Sequence, residues 1–272
     1  MLRPSRRGCP GTSLFMKNKF IGFRSKAAGR INIKLGKAGF TVINLTEPLR
    51  ENVEVFPGDP KPQKKVFCSF EKDNCRHNIY LVGDHNHHPH GDAPNHQNLR
   101  CKKMGFEFWG LDFVFNKACL IDLSGSEGSV KSYGVTYLKK ITDAHLSPYL
   151  ARIGKSGALI LRTGYDRWLE SNKKHLPGGI PYLDKSAVDL ISKFKKLKVI
   201  GIDSLTIDGT GKNYAHRKLK DKFIVESLVN LYGIPAKARS GFYLQTSPIA
   251  IVGATGGPVL AYAYIPKAGY RG

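Results

Sequence analysis

The chain has 272 residues, of which 41% are hydrophobic, and its 43 Lys and Arg against 21 Asp and Glu give a formal net charge of +22. This composition is typical of a globular protein with a sizeable core, and it excludes disordered and collagen-like chains. No apolar run approaches the ~18 residues of a membrane-spanning helix, so we expect no integral membrane protein.

The positive charge is concentrated at the N-terminus, where residues 1–40 contain ten Lys and Arg and no acid. Such a segment is typical of a transit peptide for organelle import, and a true start at Met16 is an alternative interpretation. We predict a basic, poorly ordered extension over 1–40 and one domain over 41–272. No helix-turn-helix, zinc-finger or RNP signature accompanies the charge, so we do not expect a nucleic-acid partner.

Strands and helices are mixed along the rest of the chain without a strict βαβ alternation. Apolar and β-branched runs predict strands at 41–47, 78–84, 112–124, 157–163, 199–205 and 223–231, and two more within 247–265. Helical spacing predicts helices at 137–152 and 186–197. We find no internal repeat and no linker, which indicates a single α/β domain.

Five cysteines form a sparse, odd set without any C-x-x-C pair: Cys9, Cys68, Cys75, Cys101 and Cys119. This usage argues against both a disulfide scaffold and a cysteine zinc site. It predicts a reducing compartment, with a cytoplasmic location as the default.

The most informative segment is histidine-rich, since five of the nine histidines fall within residues 85–96. His90, Asp92 and His96 stand at even spacing, so in an extended chain their side chains would point to one face. Two imidazoles and a carboxylate form a ligand set suited to Zn²⁺ or Mn²⁺. The segment predicts a metal site without indicating a reaction.

A complete site needs further ligands from elsewhere in the chain, and His216 and Glu226 are the candidates. Glu226 follows the apolar residues 223–225. A carboxylate buried at that place is costly unless a cation or hydrogen-bond donors meet it.

The motif HGDAPNH at 90–96 resembles the second half of the signature H-x-G-T-H-x-D-x-P-x-H. This signature belongs to the metal-dependent cyclase/hydrolase family that includes bacterial kynurenine formamidase and isatin hydrolase. Further blocks resemble the family in the same order: INLTEPLRENVEVFPGDPKP (43–62), LILRTGYDRW (159–168), VIGIDSLTID (199–208), IVESLVNL (224–231) and PIAIVGATGGPVLAYA (248–263).

This resemblance implies a swivelling β/β/α-type single domain with a mixed sheet or barrel-like core, usually dimeric or larger. It also implies one or two divalent ions, Zn²⁺ or Mn²⁺. His90 and Asp92 would be ligands of the first ion. Asp92 could bridge to a second ion held with His96 and His216, and Glu226 would complete the site.

The sequence departs from the family pattern in three places. Asn86 stands where the family has its first histidine, and His85 could replace that ligand if one extra residue bulges out. The family's Gly-Thr is replaced by residues around 87–89. His216 precedes Glu226 by ten residues instead of about twelve in many members. Altered substrate, single-metal occupancy or weakened activity are the interpretations that these changes leave open.

The resemblance predicts a metal-dependent hydrolase of a linear or cyclic amide, arylformamidase-like, which converts N-formylkynurenine to kynurenine and formate. His96 or His216 would be the catalytic residue that moves a proton, if it is not fixed as a ligand. A non-catalytic metal-binding relative and a basic nucleic-acid-binding protein are the alternatives. Arg162 and Asp166 are expected to fix a strand–turn geometry, and Asp203 and Asp208 to have structural or supporting roles.

Overall fold

The computed structural model describes residues 30–35, 38–51, 53, 55, 58–85, 89–132, 134–172, 179–209 and 213–267. The predicted extension therefore lies outside the described residues up to residue 29. From residue 30 the chain forms an antiparallel strand pair, so the boundary predicted at residue 40 falls within its second strand. The predicted ligand alternative Asn86 also lies outside the described residues.

The described chain is built from short elements. The strands are β1 Arg30–Leu35, β2 Ala38–Asn44, β3 Gln63–Cys68, β4 His77–Leu81, β5 His90–Asp92, β6 Phe115–Asp122, β7 Val130–Ser132, β8 Val135–Tyr137, β9 Lys140–Ile141, β10 Ala158–Arg162, β11 Tyr182–Leu183, β12 Val199–Ile202, β13 Phe223–Glu226, β14 Phe242–Pro248 and β15 Gly256–Pro266. The helices are α1 Phe70–Asp73, α2 Leu111–Val114, α3 Asp143–Leu146, α4 Leu150–Gly154, α5 Tyr165–Asn172, α6 Lys185–Ser192 and α7 Tyr214–Lys218.

Seven strands close into a barrel in the order β15-β14-β6-β10-β12-β13-β5, because β5 pairs with both β13 and β15. The strands β6, β10, β12 and β13 run parallel, whereas β5, β14 and β15 join antiparallel. Strands β2 and β1 extend the sheet beyond β15. The α/β single domain with a mixed, barrel-like sheet that was predicted is thereby confirmed.

The central parallel strands are buried on both faces. Alternate residues of β6 enter two apolar clusters, Ala118 and Leu120 on one side and Cys119 and Ile121 on the other. The second cluster also contains residues from α3, α4 and α6. A strand covered on both sides reads as a continuous apolar run, which is why 157–163 and 199–205 were recognisable in the sequence.

Of the two predicted helices, one is confirmed and one is partly wrong. Helix α6 begins where Asp184 accepts a hydrogen bond from the backbone N–H of Ala187, and it ends at Ser192 instead of 197. The segment 137–152 is helical only over α3 and α4, because residues 135–137 and 140–141 form β8 and β9. Thr142 and His145 then cap α3 reciprocally, which sets the start of the helix after the strand.

The turn after β10 is held by Asp203, a fully buried carboxylate that follows β12. Asp203 accepts hydrogen bonds from the backbone N–H groups of Thr163, Gly164 and Tyr165 at 2.9, 2.9 and 3.1 Å, and from the Thr163 hydroxyl at 2.8 Å. Burial raises the pKa of Asp203, although these donors oppose that shift. Arg162, in the same turn, pairs with Asp122 at 2.7 Å and with Asp166 at 3.7 Å.

An arm formed by β3, α1 and β4, residues 63–81, stands apart from the barrel. Within the described chain, β3 and β4 pair only with each other. Several apolar side chains of this arm are exposed, namely Val66, Phe67, Phe70, Ile79, Tyr80 and Leu81. As to membranes, each helix in the described part of the chain is too short and too polar to cross a bilayer.

Candidate metal centre

The short strand β5 positions the first two side chains of the centre. It pairs antiparallel with β13, so that His90 lies opposite Glu226. Because side chains alternate along a strand, His90 and Asp92 point to one face and Gly91 to the other. A Cβ at residue 91 would overlap the ring of Phe223 in the core, so glycine is required between the two polar residues.

One group of possible ligands combines His90, Asp92 and Glu226, all of them buried. The Nε2 atom of His90 lies 3.4 Å from Oε2 of Glu226 and 4.0 Å from Oδ1 of Asp92. Glu226 also accepts a hydrogen bond of 2.6 Å from the backbone N–H of Ile207. Two carboxylates buried at one spot repel each other unless positive charge lies between them.

A second group combines His85, Asp92 and His96, so Asp92 is common to both groups. Nδ1 of His85 lies 3.0 Å from Oδ1 of Asp92, yet neither atom has a hydrogen-bond partner among the described residues. The rings of His85 and His96 lie 3.8 Å apart. Two buried polar atoms that face each other without a hydrogen-bond partner are an arrangement that a cation could satisfy.

The orientation of His85 follows from a hydrogen-bonded chain that begins at Asp84. Thr255 donates to Oδ2 of Asp84 from its backbone N–H at 3.0 Å and from its hydroxyl at 2.9 Å. Since the hydroxyl proton is used in this way, Thr255 Oγ1 accepts from Nε2 of His85, 3.1 Å away. Nε2 of His85 therefore carries a proton that it donates to Thr255, and the Nδ1 atom faces Oδ1 of Asp92.

His216 is held by Asp208 from the opposite side of the centre. Asp208 accepts hydrogen bonds from the backbone N–H groups of Ala215 and His216, at 2.7 and 3.2 Å, and lies 2.6 Å from Nδ1 of His216. Nε2 of His216 thereby points at Oδ2 of Asp92, at 2.9 Å, and at Oε1 of Glu226, at 3.5 Å. A carboxylate behind the imidazole is the usual support of a metal-binding histidine.

The acids around His216 shift its proton equilibrium. Burial alone would lower the pKa of His216, but the hydrogen bonds to Asp208, Asp92 and Glu226 raise this pKa well above its ordinary value. Burial would conversely raise the pKa of Asp92, but the hydrogen bond from His216 and its charge hold this pKa well below its usual range. The geometry thus favours a carboxylate at Asp92 and a proton on His216 until a cation replaces that proton.

His96 reaches the centre through a turn instead of a continued strand. The extended conformation holds only for His90–Asp92, after which the backbone N–H of His96 bonds to the carbonyl of Ala93 at 3.0 Å. Burial lowers the pKa of His96 to about 4, so this imidazole is neutral at pH 7. Its Nε2 lies 3.0 Å from Nε2 of Gln97, whose Oε1 accepts from Asn213 at 2.6 Å.

The structure brings together all six residues that the sequence predicted as ligands: His85, His90, Asp92, His96, His216 and Glu226. Their roles as ligands stay a prediction. Sequence reasoning missed Asp84, Thr255 and Gln97, which orient the histidines. Thr255 lies in the block 248–263 that resembles the family, but a threonine in a glycine-rich loop gives no signal of its own.

The comparisons with known proteins agree with this architecture. The family model named Cyclase ("Putative cyclase") matches residues 43–209. The chain belongs to the Cyclase family. A search of curated protein sequences found no significant match.

Solved structures show the same fold at low identity. Isatin hydrolase A from Labrenzia aggregata, bound to benzyl benzoate, is 15% identical with a TM-score of 0.67, over 82% of this chain and 93% of that one. An isatin hydrolase bound to the product analogue thioisatinate is 19% identical with a TM-score of 0.67, over 83% and 92%. A predicted metal-dependent hydrolase from Bacillus stearothermophilus is 15% identical with a TM-score of 0.61, over 83% and 98%.

The residues of this Cyclase family member fit a divalent cation. The donor set consists of imidazole nitrogens and carboxylate oxygens, which suits Zn²⁺ or Mn²⁺. In the described part of the chain, the ion pairs of Asp92 and Glu226 are all with histidines, so no Lys or Arg neutralises these acids. Both three-residue groups share Asp92, which is the arrangement needed to hold one ion or two.

Proposed function

We propose that this protein is a metal-dependent hydrolase of a linear or cyclic amide, with an aryl formamide such as N-formylkynurenine as its substrate class. The observation that carries the proposal is Asp92, a buried carboxylate shared by two groups of nitrogen and oxygen donors. The names of the similar structures, isatin hydrolase and metal-dependent hydrolase, support hydrolysis of a C–N bond. One or two ions of Zn²⁺ or Mn²⁺ are proposed per chain.

The residues of the centre have two proposed roles, cation binding and proton transfer. His85, His90, Asp92, His216 and Glu226 would hold the cation, because their donor atoms face one another and are fixed from behind. A divalent cation at such a site supplies a Lewis acid that polarises the amide carbonyl and makes water acidic enough to react near pH 7. The protein contributes buried, prepositioned donors that need no rearrangement.

His96 is the better candidate for moving a proton. His216 is fixed between Asp208 and Asp92, at 2.6 and 2.9 Å, and has no freedom to exchange partners. His96 is neutral at pH 7 because burial lowers its pKa to about 4. Its Nε2 accepts a hydrogen bond from Gln97, so a proton could be taken up at this atom only once the Gln97 amide moves away.

A cavity of about 10 Å³, room for about one water molecule, adjoins the centre. Its lining includes Asp92, Trp109, His216 and Lys220. The indole N–H of Trp109 donates to the carbonyl of Asp92 at 2.8 Å, which fixes the ring beside the proposed ligands.

The experiment compares metal-stripped protein with protein reloaded with Zn²⁺ or Mn²⁺, using N-formylkynurenine, isatin and formanilide as substrates. We expect turnover of at least one substrate only with metal present. His96→Asn should lower kcat by about 100-fold, the usual contribution of a positioned proton carrier. The matched control is His77→Asn on the exposed arm, which should leave kcat unchanged.

A protein that binds the ion through Asp92 yet hydrolyses none of the three amides would contradict the proposal. It would then be the non-catalytic metal-binding relative considered from the sequence. A homodimer or larger homo-oligomer is a further proposal from the resemblance, and a cytoplasmic location is one from the cysteine usage. Light scattering of the purified protein and imaging of a fluorescent fusion would test them.

A further inference from the structure

Two cysteines lie close together on the arm, away from the metal centre. Cys68 is the last residue of β3, and Cys75 follows α1 just before β4. Their sulfur atoms are 2.9 Å apart, although six residues separate them in the sequence. The sequence shows no C-x-x-C pattern, so only the folded arm reveals this pair.

The local backbone explains why the two thiols meet. The strand register shifts between Val66 and Cys68, which places Cys68 opposite His77. Helix α1 ends at Asp73, and the next residue, Asn74, has a left-handed conformation of φ 53° that reverses the chain toward β4. At the start of the helix, the Ser69 backbone N–H donates to the Asp73 carboxylate at 2.9 Å. The turn is thus held closed by contacts other than the sulfurs.

Access to solvent distinguishes this pair from the other described cysteines. Cys75 is exposed and Cys68 is half-buried, whereas Cys101 and Cys119 are buried. A reagent in solution can reach the pair without opening the barrel. Thiols that are both accessible and held at short distance meet the geometric conditions for forming a disulfide.

We propose that Cys68 and Cys75 form a reversible intrachain disulfide by exchange with a small disulfide such as oxidised glutathione. The thiolate of Cys75 attacks one sulfur of the small disulfide, forming a mixed disulfide and releasing one thiolate. The thiolate of Cys68 then attacks the Cys75 sulfur and releases the second thiolate. The two protons of the protein thiols pass to these leaving groups, so the protein loses two electrons and the small disulfide gains them.

The bond would close an eight-residue ring around α1 and fix the turn of the arm. It would not alter the barrel, because β3 and β4 are outside the barrel sheet. The exposed apolar side chains of the arm, among them Phe67, Phe70 and Tyr80, would be held in one arrangement in the oxidised state. The pair is therefore a modification site that is independent of the hydrolase proposal.

The test equilibrates the full chain in glutathione buffers of increasing oxidised fraction, traps free thiols by alkylation and maps tryptic peptides. Trypsin cuts after Lys65, Lys72 and Arg76, so the bond would link peptide 66–72 to peptide 73–76. We expect this linked pair to accumulate with oxidation and to disappear on reduction. Cys101 and Cys119 should be alkylated only after unfolding.

Variants with one cysteine replaced distinguish formation of the Cys68–Cys75 bond from simple reaction of a thiol with glutathione. In Cys68→Ser, Cys75 should stop at the mixed disulfide with glutathione, since no second thiol can displace it. Cys119→Ser is the matched control and should still form the linked peptides, with circular dichroism confirming folding of both variants. Separate glutathione adducts on Cys68 and Cys75 of the parent protein, or a bond from either to Cys9, would overturn the proposal.

Discussion

Asp92 and Asp203 are two buried carboxylates at ends of strands, with 3% and 0% of their surface exposed, but the polar groups that surround them differ. Asp203 is surrounded by donors, three backbone N–H groups and a hydroxyl. Asp92 faces His85 and His216, and its Oδ1 has no hydrogen-bond partner among the described residues.

This contrast distinguishes a carboxylate that stabilises the fold from one that could bind a cation. Donors arranged around Asp203 compensate its charge within the chain itself, so it stabilises the turn at 163–165. Around Asp92, His216 meets Oδ2, whereas Oδ1 faces Nδ1 of His85 without a hydrogen-bond partner among the described residues, so a bound cation could compensate charge there. Burial alone does not distinguish the two residues, whereas the chemical nature of their neighbours does.

The strongest test of the contrast is Asp92→Asn. Both groups of candidate ligands lose a charged oxygen, so affinity for Zn²⁺ should fall by more than about 100-fold, beyond the loss seen when an outer partner is changed. Competition against a chromophoric chelator measures this affinity. Unchanged affinity would show that Asp92 is not a ligand.

The reciprocal test is Asp203→Asn, which replaces an acceptor by an amide that presents N–H groups to the N–H groups of the turn. We expect the free energy of unfolding to fall by about 3 kcal/mol, since several buried donors lose their partner. Urea denaturation measures it, with the exposed Asp143→Asn as a control that should change stability by less than about 0.5 kcal/mol. A larger loss of stability in Asp92→Asn than in Asp203→Asn would reverse the interpretation.

A smaller effect is expected at Thr255, which acts on the centre through His85. Thr255→Val removes the hydroxyl that accepts from Nε2 of His85, so His85 can adopt the wrong tautomer. Zn²⁺ affinity should fall by about 10-fold. Thr255→Ser keeps the hydroxyl and should restore the affinity, which a purely steric role would not explain.

The smallest expected effect is a dependence of metal affinity on pH. Because Asp208, Asp92 and Glu226 raise the pKa of His216, this residue carries a proton at neutral pH that a cation must displace. Each bound ion should release about one proton, and affinity should rise with pH between about pH 6 and pH 8. Calorimetry in two buffers of different ionisation enthalpy counts the protons. A His216→Gln variant should release about one proton fewer.

Much of the barrel was predictable because its parallel strands are apolar on both faces, as in β10 and β12. The helix predicted over 137–152 was partly wrong because apolar spacing does not distinguish two short strands from a helical turn. Helix α6 was predicted correctly, as it has both an N-cap, Asp184, and one apolar face. Strand pairing depends on distant partners, and periodicity does not report those.

The candidate site was predictable where metal-ligating side chains also stand at even spacing in the sequence, as His90 and Asp92 do. His216 and Glu226 were candidates from their side-chain types, and Glu226 also from its place after an apolar run, but only the resemblance connected them to the histidine segment. The orientation of His85 required the fold, because it depends on Thr255, 170 residues away in the chain. Hydrogen-bonding roles of ordinary residues are set by three-dimensional position, so the sequence leaves them undetermined.

Strand β5 has only three residues, yet it closes the barrel by pairing with both β13 and β15. Two proposed ligands, His90 and Asp92, lie on this strand, so a bound ion would also stabilise the closed barrel. A bound ion would then slow amide hydrogen exchange in residues 90–92 and raise the melting temperature. Metal binding and closure of the barrel would then be thermodynamically coupled.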